Sequence, residues 1–380
     1  MIRTNIRAFL WLSILLLVGA CGAKQRLPGP NFPASGAPFI RASLLDDPAV
    51  LKPEGLRYRM ILIGDTGDPA EVEPSHEALR VWGDAVADRT TVFFLGDNLY
   101  FSGLEDDDRE RGEGILRQQL EATAAQKVFV PGNHDWGGLN PTRASVLYNQ
   151  EEFIEEAGAM FRPRGGCPGP AVVELAPGSG SAGAGAVVAI LLDTQWWWVP
   201  EEKRSDCPGR NTPAEVVAAL DQALEAHADD IVLVAAHHPM ASGSSHGGMS
   251  RGMAADLVEN AVISLGLYLQ DIQDPDYQTM IRNLSSALRQ HPPTVYAAGH
   301  DHALQILDGG ELAEVQVVSG AGSEAKVSPV THLSETIFAH AHTGFVLVDI
   351  LGAADAPKVL LHVIEPGQQN PVFTWEIPQE

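Results

Sequence analysis

Five short apolar runs in this chain each end in residues able to ligate a hard metal ion. Met60-Ile61-Leu62-Ile63 runs into Gly64-Asp65-Thr66-Gly67-Asp68, and Thr91-Val92-Phe93-Phe94-Leu95 runs into Gly96-Asp97-Asn98-Leu99-Tyr100. Lys127-Val128-Phe129-Val130 leads to Pro131-Gly132-Asn133-His134-Asp135. Ile231-Val232-Leu233-Val234-Ala235-Ala236 leads to His237-His238-Pro239, and Thr294-Val295-Tyr296-Ala297-Ala298 to Gly299-His300-Asp301-His302. Runs of this length, rich in β-branched and aromatic residues, read as buried strands. Open α/β sheets bind ligands at the carboxyl ends of such strands. Gly-Asp-Asn alone is good turn chemistry. Five such endings in order, none using Cys, point instead to one shared site. Carboxylate, amide and imidazole donors without thiolate suit Mn, Fe or Zn. A pair of ions ~3.5–4 Å apart needs a shared oxygen donor, and Asp97 is the carboxylate we assign to that bridge.

These blocks resemble those of the calcineurin-like metallophosphoesterases, and most of all those of the low-molecular-weight purple acid phosphatases. The resemblance spans about residues 58 to 376. Tyr100 carries the purple-acid-phosphatase likeness, because most other members lack a Tyr in the second block. The resemblance implies an α/β (α+β) fold, a four-layer αββα sandwich of two mixed sheets flanked by helices. It implies a dinuclear phosphatase that hydrolyses phosphate monoesters by attack of metal-activated hydroxide. Asp65, Asp97, Tyr100 and His302 would hold one metal, and Asp97, Asn133, His237 and His300 the other. A phenolate at Tyr100 favours a hard trivalent ion, hence Fe(III) there, with Fe(II), Zn or Mn at the second position. His134 matches a substrate-side position that protonates the leaving oxygen or binds phosphate, with Asp135 fixing its tautomer. His246, nine residues after His237, matches similar work from the opposite side. His238 reads as structural, and His332, His340 and His342 as surface histidines. A phosphodiesterase of the same superfamily and a non-catalytic metal- or phosphate-binding surface protein are the alternatives; the intact ligand set speaks against the second.

The elements that must position these residues are legible around them. Helices over about 76–88 and 112–126 connect the first three ligand-bearing strands as βαβ crossovers. Another helix reads over 145–157. Residues 171–175 and 186–192 form a hairpin whose tip, 177–185, is rich in Gly, Ser and Ala. Thr212-Pro213-Ala214-Glu215 is a capping box with Pro at the first helical position, opening a helix to about residue 227. Residues 254–268 and 276–290 read as a helical pair, an insertion at about 250–290. The tail alternates as antiparallel strands over 314–318, 344–350, 359–364 and 372–377. Trp196-Trp197-Trp198 follows another strand end and reads equally as packing or as a rim for an aromatic or sugar leaving group.

The N-terminus reads as an export signal. Arg3 and Arg7 precede an apolar core, Ala8 to Val18, too short to span ~30 Å of hydrocarbon comfortably. Val18-Gly19-Ala20-Cys21 resembles a bacterial lipobox, with Cys21 lipidated; an ordinary cleaved signal with an incidental Cys is the alternative. We expect residues 1–20 to be the signal, 22–56 a Pro-rich tether (Pro28, Pro30, Pro33, Pro38, Pro48, Pro53), and 57–380 one catalytic domain. The chain would then sit at the outer membrane or cell envelope of a bacterium, anchored to the membrane through Cys21, with the catalytic domain periplasmic or extracellular. The chain carries 25 Lys and Arg against 49 Asp and Glu, a net charge of −24. Such a surface repels nucleic-acid backbones. It also repels phosphate esters, so bound cations must supply the local attraction for a small phosphate ester substrate. Cys167 and Cys207 remain as an even pair suited to a disulfide in an oxidising compartment, or as two free thiols. The lipobox reading makes a direct prediction: fatty-acid label fed to the producing cells appears on the wild type and is lost in Cys21→Ser, which is released from membranes. Wild type that never acquires label rules the lipoprotein out.

Overall fold

The computed structural model describes residues 36–41, 51–138, 144–178, 185–249, 270–353 and 356–378. The expected signal, Cys21 and the first helix of the expected insertion lie outside the described residues. β1 (Phe39–Ile40) precedes the first long strand, β2 (Leu56–Ile63). α1 (Pro74–Asp84) and α2 (Arg109–Glu121) lead to β3 (Thr90–Leu95) and β4 (Gln126–Val130). α3 (Ala144–Glu156) precedes β5 (Met160–Phe161), and β6 (Ala171–Ala176) pairs with β7 (Val187–Leu191) as the expected hairpin. α4 (Pro213–Ala226), β8 (Ile231–Ala235), α5 (Pro275–Leu288) and β9 (Val295–Ala298) follow. The chain then runs through β10 (Leu304–Asp308), β11 (Val315–Ser319), β12 (Thr336–His340), β13 (Phe345–Leu351), β14 (Lys358–Ile364) and β15 (Phe373–Glu376).

These strands form two mixed sheets, ordered β15-β14-β13-β2-β3-β4-β5 and β1-β12-β10-β11-β9-β8-β7-β6. β2 to β5 run parallel in one, and β7, β8, β9 and β11 run parallel in the other. Strand period sorts their side chains into layers. Met60, Leu62, Phe93, Leu95, Leu233 and Ala235 meet between the sheets. Ile61, Ile63, Val92 and Phe94 face Leu79, Leu116 and Leu147 of α1, α2 and α3. Val232 and Val234 face Val216 and Leu220 of α4 and Met280 and Leu284 of α5. Strands apolar on both faces are what an αββα sandwich demands, and the four expected layers are present.

The local signals mostly act as read. Thr212 caps α4 by accepting from the Glu215 amide, and the Glu215 side chain returns the bond. Cys167 and Cys207 form a disulfide with Cα atoms 5.8 Å apart; closing so long a loop stabilises by ~4 kcal/mol on chain-entropy grounds. α1 and α2 stop four or five residues short of the expected ends. Asp84, the last residue of α1, accepts from the Thr123 hydroxyl and the Ala124 amide just past α2, which ties the two helix ends together ahead of β3 and β4.

The region after the ligand blocks departs more. β10 and β12 are not anticipated, because Leu304-Gln305-Ile306-Leu307 follows the last ligand block without a turn signal. Within the Pro-rich stretch, Phe39 and Ile40 pair with Ala339 and Phe338 of β12. His340 corrects a sequence expectation: it is not a surface histidine. It is buried, 2.5 Å from Glu365 Oε1 through Nδ1, and Nε2 donates to the Gly36 carbonyl at 2.8 Å. The tryptophans resolve as packing. Thr194–Trp198 is a 3-10 turn with all three indoles buried in the layer under α4 and α5.

Asp193, just ahead of that turn, is fully buried and accepts the Trp136 indole N–H at 2.8 Å. Burial pushes its carboxyl up to about 7, against the pull of that hydrogen bond. An acid whose pKa folding raises removes stability above its ordinary value of ~3.9, and the loss is complete once pH passes the folded value. Asp193→Asn therefore gains on the wild type between about pH 4 and pH 7, by up to roughly 4 kcal/mol. Denaturant titrations of both proteins across that window check it; parallel pH dependences would contradict it.

Candidate metal centre

The site forms where the parallel strands of both sheets end on one rim. Asp65, Asp97 and His300 sit at φ values of 61°, 51° and 67°. Non-glycine residues rarely occupy this left-handed region, and such strain clusters at functional sites. Turning sharply at the strand end swings each side chain toward its neighbours. Two glycines allow the approach. A Cβ at Gly96 would lie 2.5 Å from His237 Nδ1, and one at Gly132 would lie 2.3 Å from the Asp97 amide.

The seven expected ligands converge in two adjoining groups. In the first, the Tyr100 hydroxyl donates to Asp65 Oδ1 at 2.9 Å and lies 3.0 Å from His302 Nε2. His302 Nε2 is 3.3 Å from Asp65 Oδ1. In the second, His237 Nε2 lies 2.9 Å from Asn133 Oδ1, and His300 Nδ1 is 3.2 Å from both of those atoms. Asp97 stands between them. Its Oδ1 is 3.4 Å from His237 Nε2, and Asp65, Asp97 and His237 bring ligand atoms all within 4.8 Å of one another.

The far side of each imidazole decides what the near side offers. His237 Nδ1 donates to the Leu95 carbonyl at 2.8 Å, His300 Nε2 to the Gln270 carbonyl at 2.9 Å, and His302 Nδ1 to the Lys326 carbonyl at 3.0 Å. A ring that spends its N–H on a carbonyl presents a lone pair from the other nitrogen, the usual arrangement of metal-ligating histidines. Three lone pairs thus face carboxylate and amide oxygens, and His237 and His300 face each other. Only cations or protons between them make such an arrangement favourable.

The electrostatics agree. Burial and then the carboxylates Asp65 and Asp97 hold the Tyr100 phenol well above its ordinary pKa, so ionising it requires a cation. Burial works against ionising Asp97, yet His237 and His134 keep its pKa below the usual carboxylate value. Burial opposes protonation of His237 and His302, but the facing carboxylates, Asp97 first for His237 and Asp65 for His302, raise both. His300, desolvated and surrounded by other histidines, is held well below its ordinary value.

His134 and His246 flank this core. His134 Nδ1 donates to the Phe101 carbonyl at 2.7 Å, leaving Nε2 3.9 Å from Asp97 Oδ2. The His134 ring lies 4.4 Å from that of Tyr100, beside the first ligand group. The His246 ring lies 4.3 Å from that of His300, beside the second, and its amide donates to Asp301 Oδ1. Asp135 requires a correction: it does not set the His134 tautomer. Its oxygens accept from the amides of Asn98, Leu99 and Gly132 and from the Asn98 and Gln150 side chains. Burial raises its pKa to about 6. It clamps two ligand loops together, and the Phe101 carbonyl orients His134.

The backbone carbonyls and Gln270 escaped sequence reasoning, since every residue has a carbonyl and no pattern marks the one that will be used. Gln270, itself at φ 49°, donates through Nε2 to Gln195 Oε1 and lies 3.2 Å from His238 Nε2 through Oε1. His238 bonds Thr194 through its other nitrogen and stacks on Trp198 at 4.8 Å. Both its nitrogens are thus engaged, by Thr194 and Gln270, although one of them lies within 4.8 Å of nitrogens of His237 and His300. The tryptophan turn and His238 anchor Gln270, and Gln270 anchors His300.

Two adjoining sets of hard donors on the rim of an αββα sandwich define a metal-dependent hydrolase. The chain belongs to the calcineurin-like phosphoesterase family, which residues 58–304 match. It is similar to tartrate-resistant acid phosphatase type 5 of Sus scrofa, 26% identical over 286 residues that cover 70% of this chain and 69% of that protein. The Homo sapiens protein of the same description is 25% identical over 283 residues, covering 70% and 73%. The fold also matches GAP50, the anchor in the inner membrane complex of Plasmodium, with a TM-score of 0.55 at 14% identity over 86% of this chain and 90% of that one. The protein is accordingly a metal-dependent phosphoric ester hydrolase of a dinuclear family.

Partners that orient a ligating histidine are typically worth about 10–100-fold in metal affinity. Gln270→Ala removes the side-chain anchors of the carbonyl that holds His300. It should weaken retention of one ion of two by roughly tenfold or more, measured by chelator competition, with the fold intact by circular dichroism. Unchanged retention of both ions would contradict the anchoring role.

Proposed function

We propose that this protein is an exported acid phosphatase-like enzyme that hydrolyses small phosphate monoesters at a pair of ions. Fe(III) beside Tyr100, with Fe(II), Zn or Mn beside Asn133, His237 and His300, is the pair that the donors favour. The observation that carries the reading is the set of three tautomer-locked imidazoles aimed at two carboxylates, a phenol and an amide oxygen. The similarity to tartrate-resistant acid phosphatases supports monoesters, and the Cys167–Cys207 disulfide supports an oxidising compartment. Export and a lipid anchor at Cys21 belong to the same reading.

Bound ions at this position neutralise phosphoryl oxygens and acidify water. The chain's residues do the rest. Asp65, Asp97, Asn133 and the three histidines fix where the phosphoryl group is held. Asp97, placed between the groups, keeps them in one geometry. His134, with Nδ1 committed to Phe101, has Nε2 directed to the centre and delivers a proton to the leaving oxygen. His246 faces the phosphoryl group from the His300 side.

The test compares variants on two monoesters. His134→Ala retains both ions and loses about 10²–10⁴ in rate on an alkyl phosphate, the usual worth of general acid assistance. Its loss on an aryl phosphate is smaller, because an acidic phenol departs without a proton. Equal losses on both esters would move the acid to His246. A chelated enzyme that still releases phosphate, or a native one that turns over diesters in preference, would overturn the monoesterase reading.

A further inference from the structure

His340 has an acceptor at each end of its ring. Nδ1 is 2.5 Å from Glu365 Oε1, and Nε2 is 2.8 Å from the Gly36 carbonyl oxygen. A neutral imidazole carries one N–H and one lone pair. In either tautomer that lone pair would face an oxygen lone pair and leave a hydrogen bond unmade. Both His340 and Glu365 are buried, where an unmade bond is costly. The two contacts are filled together only when the pair holds one proton more than a neutral ring beside a carboxylate.

The other titratable group facing this pair is His342. Its Nδ1 donates to the Thr343 carbonyl at 2.8 Å and lies 3.7 Å from Glu365 Oε2. β10 places Leu304 opposite His340, and His362 of β14 is bonded to Thr374. Arg41 donates to the Ser334 carbonyl. Burial opposes charging His340, but Glu365 and then the Gly36 carbonyl raise its pKa above the ordinary histidine value.

Gly36 opens the stretch that adds β1 to the edge of its sheet. The other ties of that stretch are few. Phe39 and Ile40 pair with β12, the Arg41 amide donates to the Ile337 carbonyl at 2.9 Å, and Phe39 stacks on His332 at 4.7 Å. An edge strand this short opens locally at small cost, so one bond more or less shifts its population.

We propose that His340 and Glu365 form a proton-operated clasp that binds residues 36–41 to the domain in acid and releases them in base. The contribution of His340 is fully present below about pH 6.5, the unfolded histidine value, and is lost as pH rises through its higher folded value. Losing the proton unmakes a charge-assisted bond and raises the open fraction of β1 about tenfold or more. On the lipid-anchored reading, the clasp sets how far the domain stands from its anchor. The chain is tied down at Gly36 when the clasp is closed, and first at Leu51, whose carbonyl accepts from Arg59, when it is open.

Hydrogen exchange on the full chain, read by mass spectrometry in peptides covering residues 36–41 and corrected for the intrinsic pH dependence of exchange, tests the clasp. Wild-type protection should fall about tenfold or more between about pH 6 and pH 9, while peptides of β13 keep theirs. His340→Leu should show the low protection at every pH. Glu365→Gln is the sharper variant and serves even where His340→Leu fails to fold. Its amide donates to the Nδ1 lone pair of neutral His340 while Nε2–H still reaches Gly36, so protection should stay high and flat. A merely structural role for Glu365 gives no such rescue. A chain that never acquires lipid overturns the anchor reading alone, because the protection is read the same way without an anchor. Wild-type protection that is unchanged across the range, or Glu365→Gln losing protection in step with the wild type, overturns the proposal.

Discussion

Lone pairs aimed at one another govern this structure. His237, His300 and His302 each commit one nitrogen to a carbonyl and turn the other toward oxygens that are also electron-rich. In water each group would simply hydrate. Buried together, they raise the energy of the folded chain unless positive charge lies among them. The surrounding structure exists to hold this unfavourable arrangement in place, and the ions of a dinuclear phosphoesterase relieve it.

That holding is done in three ways. Strands apolar on both faces lock the rim from below, because any register slip would expose core to solvent. Left-handed backbone at Asp65, Asp97 and His300 stores local strain that the rest of the fold must over-determine. Asp135, a buried carboxylate of the third ligand loop, then ties in the second by accepting from the Asn98 and Leu99 amides and the Asn98 side chain, and accepts further from Gly132 and from Gln150 of α3. The Asp135 contacts also explain why a residue adjacent to His134 in sequence does not serve it. Its side chain points into the loop junction, and successive residues in a tight turn face different ways.

The periphery ties the centre to parts of the chain that carry no ligand. Through Gln270 and His238, the turn bearing Trp196, Trp197 and Trp198 supports His300. Through its carbonyl, Lys326 orients His302, while its ammonium covers the rings of Tyr100 and Phe101. One residue thereby links the first ligand group to the open side of the site. A buried Arg59–Asp349 pair, bonded at 2.7 Å through both Nε and Nη2 of the guanidinium, similarly fastens β2 to β13.

The amino-acid order alone determined the ligand types and their strand-end placement, which follow from period, from Gly and Pro at the breaks, and from donor chemistry, all of which are local. The capping box at Thr212 and the hairpin of β6 and β7 were legible for the same reason. The layered fold was implied by the family resemblance that those ligand blocks carry. Tertiary structure alone decided how the supporting contacts fall. The Phe101 carbonyl orients His134 and Asp135 does not. His340 is buried against Glu365 and Gly36, which are distant in sequence. β12 gains an edge partner from the Pro-rich stretch. Each of these depends on where a backbone group or side chain lands after packing, and nothing in the identity of a neighbouring residue encodes it. A ligand is chosen by its side chain, which sequence records; the group that aims the ligand is often a carbonyl, which every residue possesses.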